Sequence, residues 1–407
     1  MNDKPPCRDI VCFAKDWFED PTSCNHVMQE LAKTRRVLWI NSISTRAPSL
    51  TSGRDVRKIF RKLGSFLKGP TRVSDNLLVA TPIVIPMHGS ALAKRINHWL
   101  LAGMVRRLSR RMHMREYEVW TFVPTFAEYL DLAAGRPLIY YCTDNWKAFS
   151  SMDGISIAGM MERTARKADV VFGTSSAIVR MLSQLHPDAR LAPHGVDYAQ
   201  FSAALSPSTV APADVAQLSH PVLGFYGLIE DWMDQELLVW LAERHPEWNI
   251  ALIGRVCVDV SRMESLSNIH LLGRKPHSEL PAYCKAIDVG LIPHIVNELT
   301  THMNPIKLRE YLCAGLPVVA TDLPEVKAYG EHCATAADYE AFERAVVSAL
   351  SKGSPAERAA RSRAMADETW PHKVADLRRI IDERCPPPAP GESGGAAGRG
   401  RAAAGAR

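Results

Sequence analysis

The 407-residue sequence predicts an α/β protein built from two Rossmann-like, doubly wound parallel sheets that face each other across a cleft. Three observations carry that expectation. Near-continuous apolar runs of strand length alternate with helical patterns, as in parallel strands covered on both faces. The alternation pauses once, over a stretch rich in Ser, Ala and Pro at 198–220, and then resumes. With 46% hydrophobic and 23% charged residues the composition is that of a globular chain, which excludes a mostly disordered protein, a collagen or a coiled coil.

In the first half, DIVCFAK (9–15) reads as a buried strand, SCNHVMQELAK (23–33) as a helix and RVLWINS (36–42) as the next strand. Further strands are expected at 76–86, 118–124, 138–144 and 169–175. In the second half the strands are VLGFYGLI (222–229), NIALIG (249–254), NIHLLGR (268–274), DVGLIPH (288–294) and PVVATD (317–322). Helices are expected at 337–352, 355–368 and 372–384. The domains then run 1–200 and 221–366, with a linker or a decorated connection at 201–220, a terminal helix at 367–385 and a tail at 386–407. That tail is Pro, Gly and Ala with scattered Arg, unable to bury apolar surface, and is expected to be disordered.

The nine cysteines are scattered, odd in number and contain no C-x-x-C pair, which argues for free thiols in a reducing compartment. No basic region followed by a long apolar run opens the chain, and the most apolar stretches, 76–87 and 99–105, are too short to span a bilayer. A cytoplasmic protein is expected. The net charge of +5 is unevenly spread: residues 1–115 hold 21 Lys and Arg against 8 Asp and Glu, about +13, leaving about −8 for the remainder. The first half should meet something anionic.

Ligands of doubly wound sheets bind beyond the carboxyl ends of the strands. The most informative segment there is HMNPIKLREYLCAGLPVVATD (302–322). Asn304 suits a helix N-cap, Pro305 the first helical position and Gly315 the residue just past the end. The free N–H groups of such a helix start form an anion site, to which Lys307 adds a full charge. Glu310 lies three residues on, along the same face. Phosphates at the tip and a ribose diol against the carboxylate would describe a nucleoside diphosphate; the alternative is a plain helix start with a surface ion pair. Other residues placed near the same mouth are Gly227, Glu230 and Asp231, then Arg255, then Glu298, Thr300 and Thr301, each of which has a loop-capping or solvated alternative.

HGVDYAQF (194–201), the run from Gly227 to Gly254 and NPIKLREYLCAGLPVVATDLPEV (304–326) resemble the bacterial GT-B fold glycosyltransferases, closest to the teichuronic-acid-type and xanthan-type transferases. The resemblance extends over roughly 8–384 and is diffuse in the first half. It implies a GT-B architecture, a nucleotide-sugar donor in the C-terminal domain, an acceptor in the N-terminal domain, and terminal helices near 368–381 that cross back to the first domain. Many relatives carry two glutamates eight residues apart; here Glu310 holds the second position and His302 the first, which leaves Lys307 as the implied phosphate contact.

No Asp-x-Asp pair, H-E-x-x-H or paired C-x-x-C occurs, so no metal and no cofactor is expected, the nucleotide sugar being a substrate. Leaving-group charge would then be met by helix dipole and ammonium. The G-x-G-x-x-G and G-x-x-x-x-G-K-[ST] motifs are also missing, which removes support for dinucleotide and P-loop chemistry. For the general base the candidate is Asp144, at the cleft-facing end of LIYYCTD, where the resemblance also implies a catalytic acid; capping of the next turn is its alternative. On the acceptor side His26 and Asp16 are further candidates, and His194 in HGVD reads as structural.

RDVRKIFRKLGSFLK (54–68) is a basic amphipathic helix pattern, and KRINHWLLAGMVRRLSRRMHMR (94–115) is a second basic helix. Both suit an anionic inner-leaflet surface, or else ordinary helices with a solvated basic face. No nucleic-acid module accompanies the charge. The expected function is a glycosyltransferase that uses a UDP or GDP sugar and a lipid-linked or glycan acceptor in cell-surface polysaccharide synthesis. The alternatives are a nucleotide-sugar epimerase of the same fold and a non-catalytic nucleotide-sugar-binding scaffold.

Overall fold

A computed structural model describes residues 7–42, 69–85, 91–150 and 153–387. The first sheet has eight strands: β1 (Asp9–Phe13), β2 (Val37–Ile40), β3 (Thr71–Ser74), β4 (Leu77–Ala80), β5 (Tyr117–Thr121), β6 (Leu138–Cys142), β7 (Val170–Gly173) and β8 (Arg190–Leu191). Their order is β3-β4-β2-β1-β5-β6-β7-β8, and every pairing is parallel except β3 with β4. Side chains of β1, β2 and β6 are almost wholly buried, as expected of strands covered on both faces. The helices of this half are α1 (Ser23–Ala32), α2 (Ala91–Arg111), α3 (Gly154–Lys167) and α4 (Ser176–Ser183).

The second half holds α5 (Tyr198–Ser202), α6 (Ala213–Ala216), β9 (Val222–Tyr226), α7 (Gln235–Arg244), β10 (Asn249–Ile253), α8 (Ser261–Glu264) and β11 (Ile269–Leu271). There follow α9 (Leu280–Lys285), β12 (Val289–Ile292), α10 (Ile306–Cys313), β13 (Val318–Thr321), α11 (Pro324–Lys327), β14 (Cys333–Ala336), α12 (Tyr339–Leu350), α13 (Pro355–Ala364) and α14 (Trp370–Arg384). The six strands lie in the order β11-β10-β9-β12-β13-β14, all parallel. Both sheets have a switch of order beside their first strand, β1 between β2 and β5 and β9 between β10 and β12, where ligand crevices form.

Several expectations are corrected. Residues 201–220 are not a free linker: Phe201, Ala204 and Val215 are buried in the second core with Val222, Tyr226 and Tyr311. The run 76–86 yields a strand only over Leu77–Ala80, Pro82 following closely, and β3 pairs with it as an unforeseen antiparallel edge. The helix expected at 54–68 and nearly all of the tail at 386–407 lie outside the described residues.

The halves are sewn together at their hinge. Val196 bridges Thr369, and Trp370 N donates to Val196 O at 3.3 Å. A Cβ on Gly195 would meet Trp370 N at 2.7 Å, so the backbones approach as closely as only glycine permits. α14 then buries Trp370, Val374, Leu377 and Ile381 in the first domain's core beside α1. Among the described residues no helix is long and apolar enough to cross a membrane.

Candidate active site

α10 aims its N-terminus at the first domain. Just before it, Asn304 donates to Thr174 O at 2.7 Å and accepts from Arg309 at 2.7 Å, while His302 O accepts from Ser175 Oγ at 2.6 Å. Asn304 is therefore a strut between domains and not the N-cap. The cap position is Pro305, the helix begins at Ile306, and no side chain caps it. Leu308 N donates to Pro305 O at 3.1 Å, the N–H groups of Ile306 and Lys307 precede that first bond, and the dipole's positive end faces the cleft. At the other end Gly315 has φ +79°, with Leu316 N bonded to Tyr311 O and Gly315 N to Leu312 O, the Schellman pattern expected of a glycine there.

Lys307, in the first turn, is half-buried and has no ion pair or hydrogen bond among the described residues. Its stem lies on Gly227: a Cβ at that residue, whose φ is +145°, would come within 2.9 Å of Lys307 Cε. Gly254 in turn approaches Gly227 so closely that a Cβ would meet Gly227 O at 1.6 Å. The two glycine turns after β9 and β10 are thus shaped to seat the lysine stem.

The Lys307 charge reaches groups of both domains. Burial raises the Asp144 carboxyl above its ordinary value, and a Thr143 hydrogen bond and Lys307 only partly offset this. Burial lowers the Lys15 ammonium, with Lys307 adding repulsion. His194 is pushed down to about 3, first by burial and then by Arg309 and Lys307, and its Nδ1 meets Ser23 Oγ at 2.6 Å. His294, at the end of β12, is also pushed to about 3 by burial and Lys307, and its buried Nδ1 has no partner among the described residues. These two rings are neutral at pH 7 and add no positive charge to that of Lys307, Lys15 and Arg309.

Glu310 is held behind this group. It is buried, and His277 Nε2 sits 3.0 Å from its Oε1. Gln200 Nε2 lies 3.2 Å from His277 Nδ1 and donates to His277 O at 2.8 Å, which holds the ring against the carboxylate. Burial acts to raise Glu310, but the His277 bond and charges from His277, Lys307 and His26 leave it below its ordinary value. His26 stacks on Trp370 with centroids 5.0 Å apart, lies 5.7 Å from His277, and is lowered to about 4 by burial and its neighbours.

The remaining candidates have other surroundings. Thr300 is buried with its hydroxyl donated to Ile295 O at 2.5 Å, inside its own loop, and Thr301 Oγ1 donates to Asn297 O at 2.7 Å. Glu298 is exposed and pairs across the cleft mouth with Lys147 at 3.1 Å and Asn145 at 3.3 Å. His302 Nδ1 turns back to Glu298 O at 2.7 Å. Arg255 is exposed, Glu230 is half-buried beside Cys257, and Asp231 accepts from Ser150 across the mouth. Asp16 is occupied by the Ser42 hydroxyl at 3.1 Å. Among the described residues no cluster of three or more His, Cys, Asp or Glu is placed to hold a metal ion.

Sequence reasoning missed Lys15, His277 and His294. Lys15 and His294 both follow the carboxyl ends of central strands, a positional signal that would have found them. His277 lies in a turn with no such marker.

Residues 215–352 match the family described as glycosyl transferases group 1. A Bacillus subtilis protein named as a putative teichuronic acid biosynthesis glycosyltransferase, TuaH, is 27% identical over 224 residues, 51% of this chain and 55% of that one. The chain therefore aligns with only about half the length of that relative. Among solved structures, sucrose-phosphate synthase from Thermosynechococcus elongatus superposes with a TM-score of 0.66 at 13% identity, covering 92% of this chain and 99% of that one. Anabaena HepE, solved in complex with UDP, gives 0.64 at 13% identity, covering 92% and 100%. The two-domain architecture is the GT-B fold, and residues 215–352, in its second domain, are similar to the group 1 glycosyl transferases.

Proposed function

We propose that the chain transfers a sugar from a nucleotide-sugar donor to a hydroxyl of a lipid-linked or glycan acceptor, without a metal ion, in the synthesis of a cell-surface polysaccharide. One observation carries the reading: the Lys307 ammonium at the start of α10, without an ion pair or hydrogen bond among the described residues, lies in the cleft between the sheets, with the Asp144 carboxyl in its field. In the reaction the bond from the anomeric carbon to the phosphate oxygen breaks and the nucleoside diphosphate leaves with the electron pair. A new bond forms to the acceptor oxygen, whose proton passes to Asp144. The first-turn N–H groups of α10, Lys307 and Lys15 stabilise the charge on the departing pyrophosphate; preorganised donors of this kind supply several kcal/mol. Pro305 fixes the approach to that turn. Glu310, held by His277, receives the ribose hydroxyls, Gly227 seats the Lys307 stem, and Glu230, Arg255 and Glu298 line the donor side. His26, expected on the acceptor side, instead stacks on Trp370 beside His277 and Glu310, which leaves Asp144 for the acceptor.

UDP is the first nucleotide to test, since HepE was solved with it. A thermal-shift screen over UDP, GDP, TDP and CMP should give one clear stabilisation by mass action. Radiolabelled sugar from the matching donor should then enter a lipid or glycan fraction only when acceptor is added. Acceptor-independent conversion of the sugar nucleotide would point to an epimerase, and binding without turnover to a scaffold.

A further inference from the structure

α2 has two faces that do not resemble each other. Ala93, Asn97, Leu101, Val105 and Leu108 are buried on the first domain. At 100° per residue Leu92, Arg95, Ile96, Trp99, Gly103, Arg106, Arg107 and Arg110 fall within an arc of about 120° on the opposite side, and all are exposed. Trp99 is 73% exposed and Leu92 68%. The helix contains six Lys and Arg and no Asp or Glu. Lys94 is neutralised by Glu128 at 2.8 Å, but the guanidinium groups of Arg106, Arg107 and Arg110 have no partner among the described residues. Together with Trp99 and Gly103 they line an open groove of about 350 Å³.

The face is also graded along its length. The apolar side chains cluster in the first three turns. That end is tied to the cleft side of the sheet, because Asn97 exchanges two hydrogen bonds with the backbone of Ile85, five residues beyond the carboxyl end of β4. Arg106, Arg107 and Arg110 lie further along the helix. Solvent-exposed tryptophan and leucine beside unpaired arginines are costly to keep in water and suit a surface that is apolar beneath and anionic above.

We propose that this face of α2 rests on an anionic phospholipid bilayer. Trp99, Leu92 and Ile96 enter the headgroup boundary and Arg106, Arg107 and Arg110 hold lipid phosphates. The occupant is a bilayer because the apolar residues and the cations share one stripe; a nucleic acid would use the cations and leave Trp99, Leu92 and Ile96 in water. The docked face brings the cleft edge of the first sheet to the membrane, where a lipid-linked acceptor would lie. The inference deepens the acceptor reading, yet its test needs no turnover.

The full chain is floated with vesicles of phosphatidylcholine alone and with about one-third phosphatidylglycerol. Binding to the anionic vesicles is expected to fall at least about tenfold in the triple variant R106S/R107S/R110S and to weaken in W99S, with thermal unfolding unchanged because all four side chains are exposed. Equal retention of the wild type and the triple variant on anionic vesicles would overturn the proposal, as would equal binding to neutral vesicles. Displacement from anionic vesicles by stoichiometric duplex DNA, with W99S behaving as wild type, would overturn it in favour of a nucleic-acid surface. Binding of the matching nucleotide, measured on the same variants, reports separately on the donor site.

Discussion

Asp144 and Glu310 are carboxylates of one cleft, one at the end of β6 and the other in α10, and burial acts on both in the same direction. Their outcomes are opposite. Asp144 has a Thr143 hydroxyl and a distant ammonium for help and is left above its ordinary value. Glu310 has a histidine proton on one oxygen at 3.0 Å and is left below it. Desolvation is therefore not what distinguishes them; the number and quality of donors aimed at the charged form is. A carboxylate with a raised affinity for protons suits acceptance of one, and a carboxylate fixed in its ionised form suits a hydroxyl ligand. On the proposed function, the first domain's wall provides the chemistry and the second domain's wall provides the grip.

The sharpest break in that division is at Asp144. Asp144→Asn keeps the shape and removes the proton acceptor. Turnover should fall by about 10²–10⁴, the range of general-base catalysis, while nucleotide affinity measured by calorimetry stays within about twofold. A variant with undiminished turnover would remove Asp144 as the base.

Lys307 comes next. Lys307→Met retains most of the stem that packs on Gly227 and deletes the charge. Loss of one charge-assisted contact to phosphate costs about 1.5–3 kcal/mol, so affinity for the nucleoside diphosphate should drop by about 10- to 150-fold. Affinity for the free nucleoside should hardly change. If nucleoside and diphosphate weakened alike, the lysine would be supporting the pocket and not gripping the pyrophosphate.

These two residues were legible in the sequence for different reasons. Lys307 follows Asn-Pro at a helix start, and Asp144 ends an apolar strand, so strand and helix patterning place both at the cleft without any knowledge of contacts. The two sheets were legible for the same reason: buried parallel strands such as β1, β6 and β9 are continuous apolar runs. The expected roles of Asn304 and Thr300 were less secure because their polar groups have nearby protein partners. Asn304 joins Thr174 to Arg309 across the domain boundary, and Thr300 closes its own loop. Such use depends on residues more than a hundred positions away, as with Thr174, or on a local turn with no periodicity. His277 was invisible on the same ground, since its value lies in contact with Gln200 and Glu310, 77 and 33 residues distant.

The smallest expected effect isolates that contact. Removing the His277 ring leaves a buried Glu310 oxygen without its donor, which costs about 1–3 kcal/mol for such a group. His277→Ala should accordingly lower stability near pH 7 by about that amount, and His277→Gln, which retains an N–H donor, should recover part of it. The pH dependence gives the sign. A carboxyl whose folded value lies below its unfolded one contributes stability that is present above the unfolded value, near 4.5, and is lost as pH falls through the folded value. The gap between wild type and His277→Ala should therefore be widest above about pH 5 and close as the medium becomes more acidic. Lys307 and His26 also face Glu310 and remain in the variant, so the gap reports the His277 contribution alone. A gap independent of pH would mean that the ring only fills space beside Phe201, whose centroid is 5.4 Å away, and the lowered Glu310 value would then have to come from Lys307.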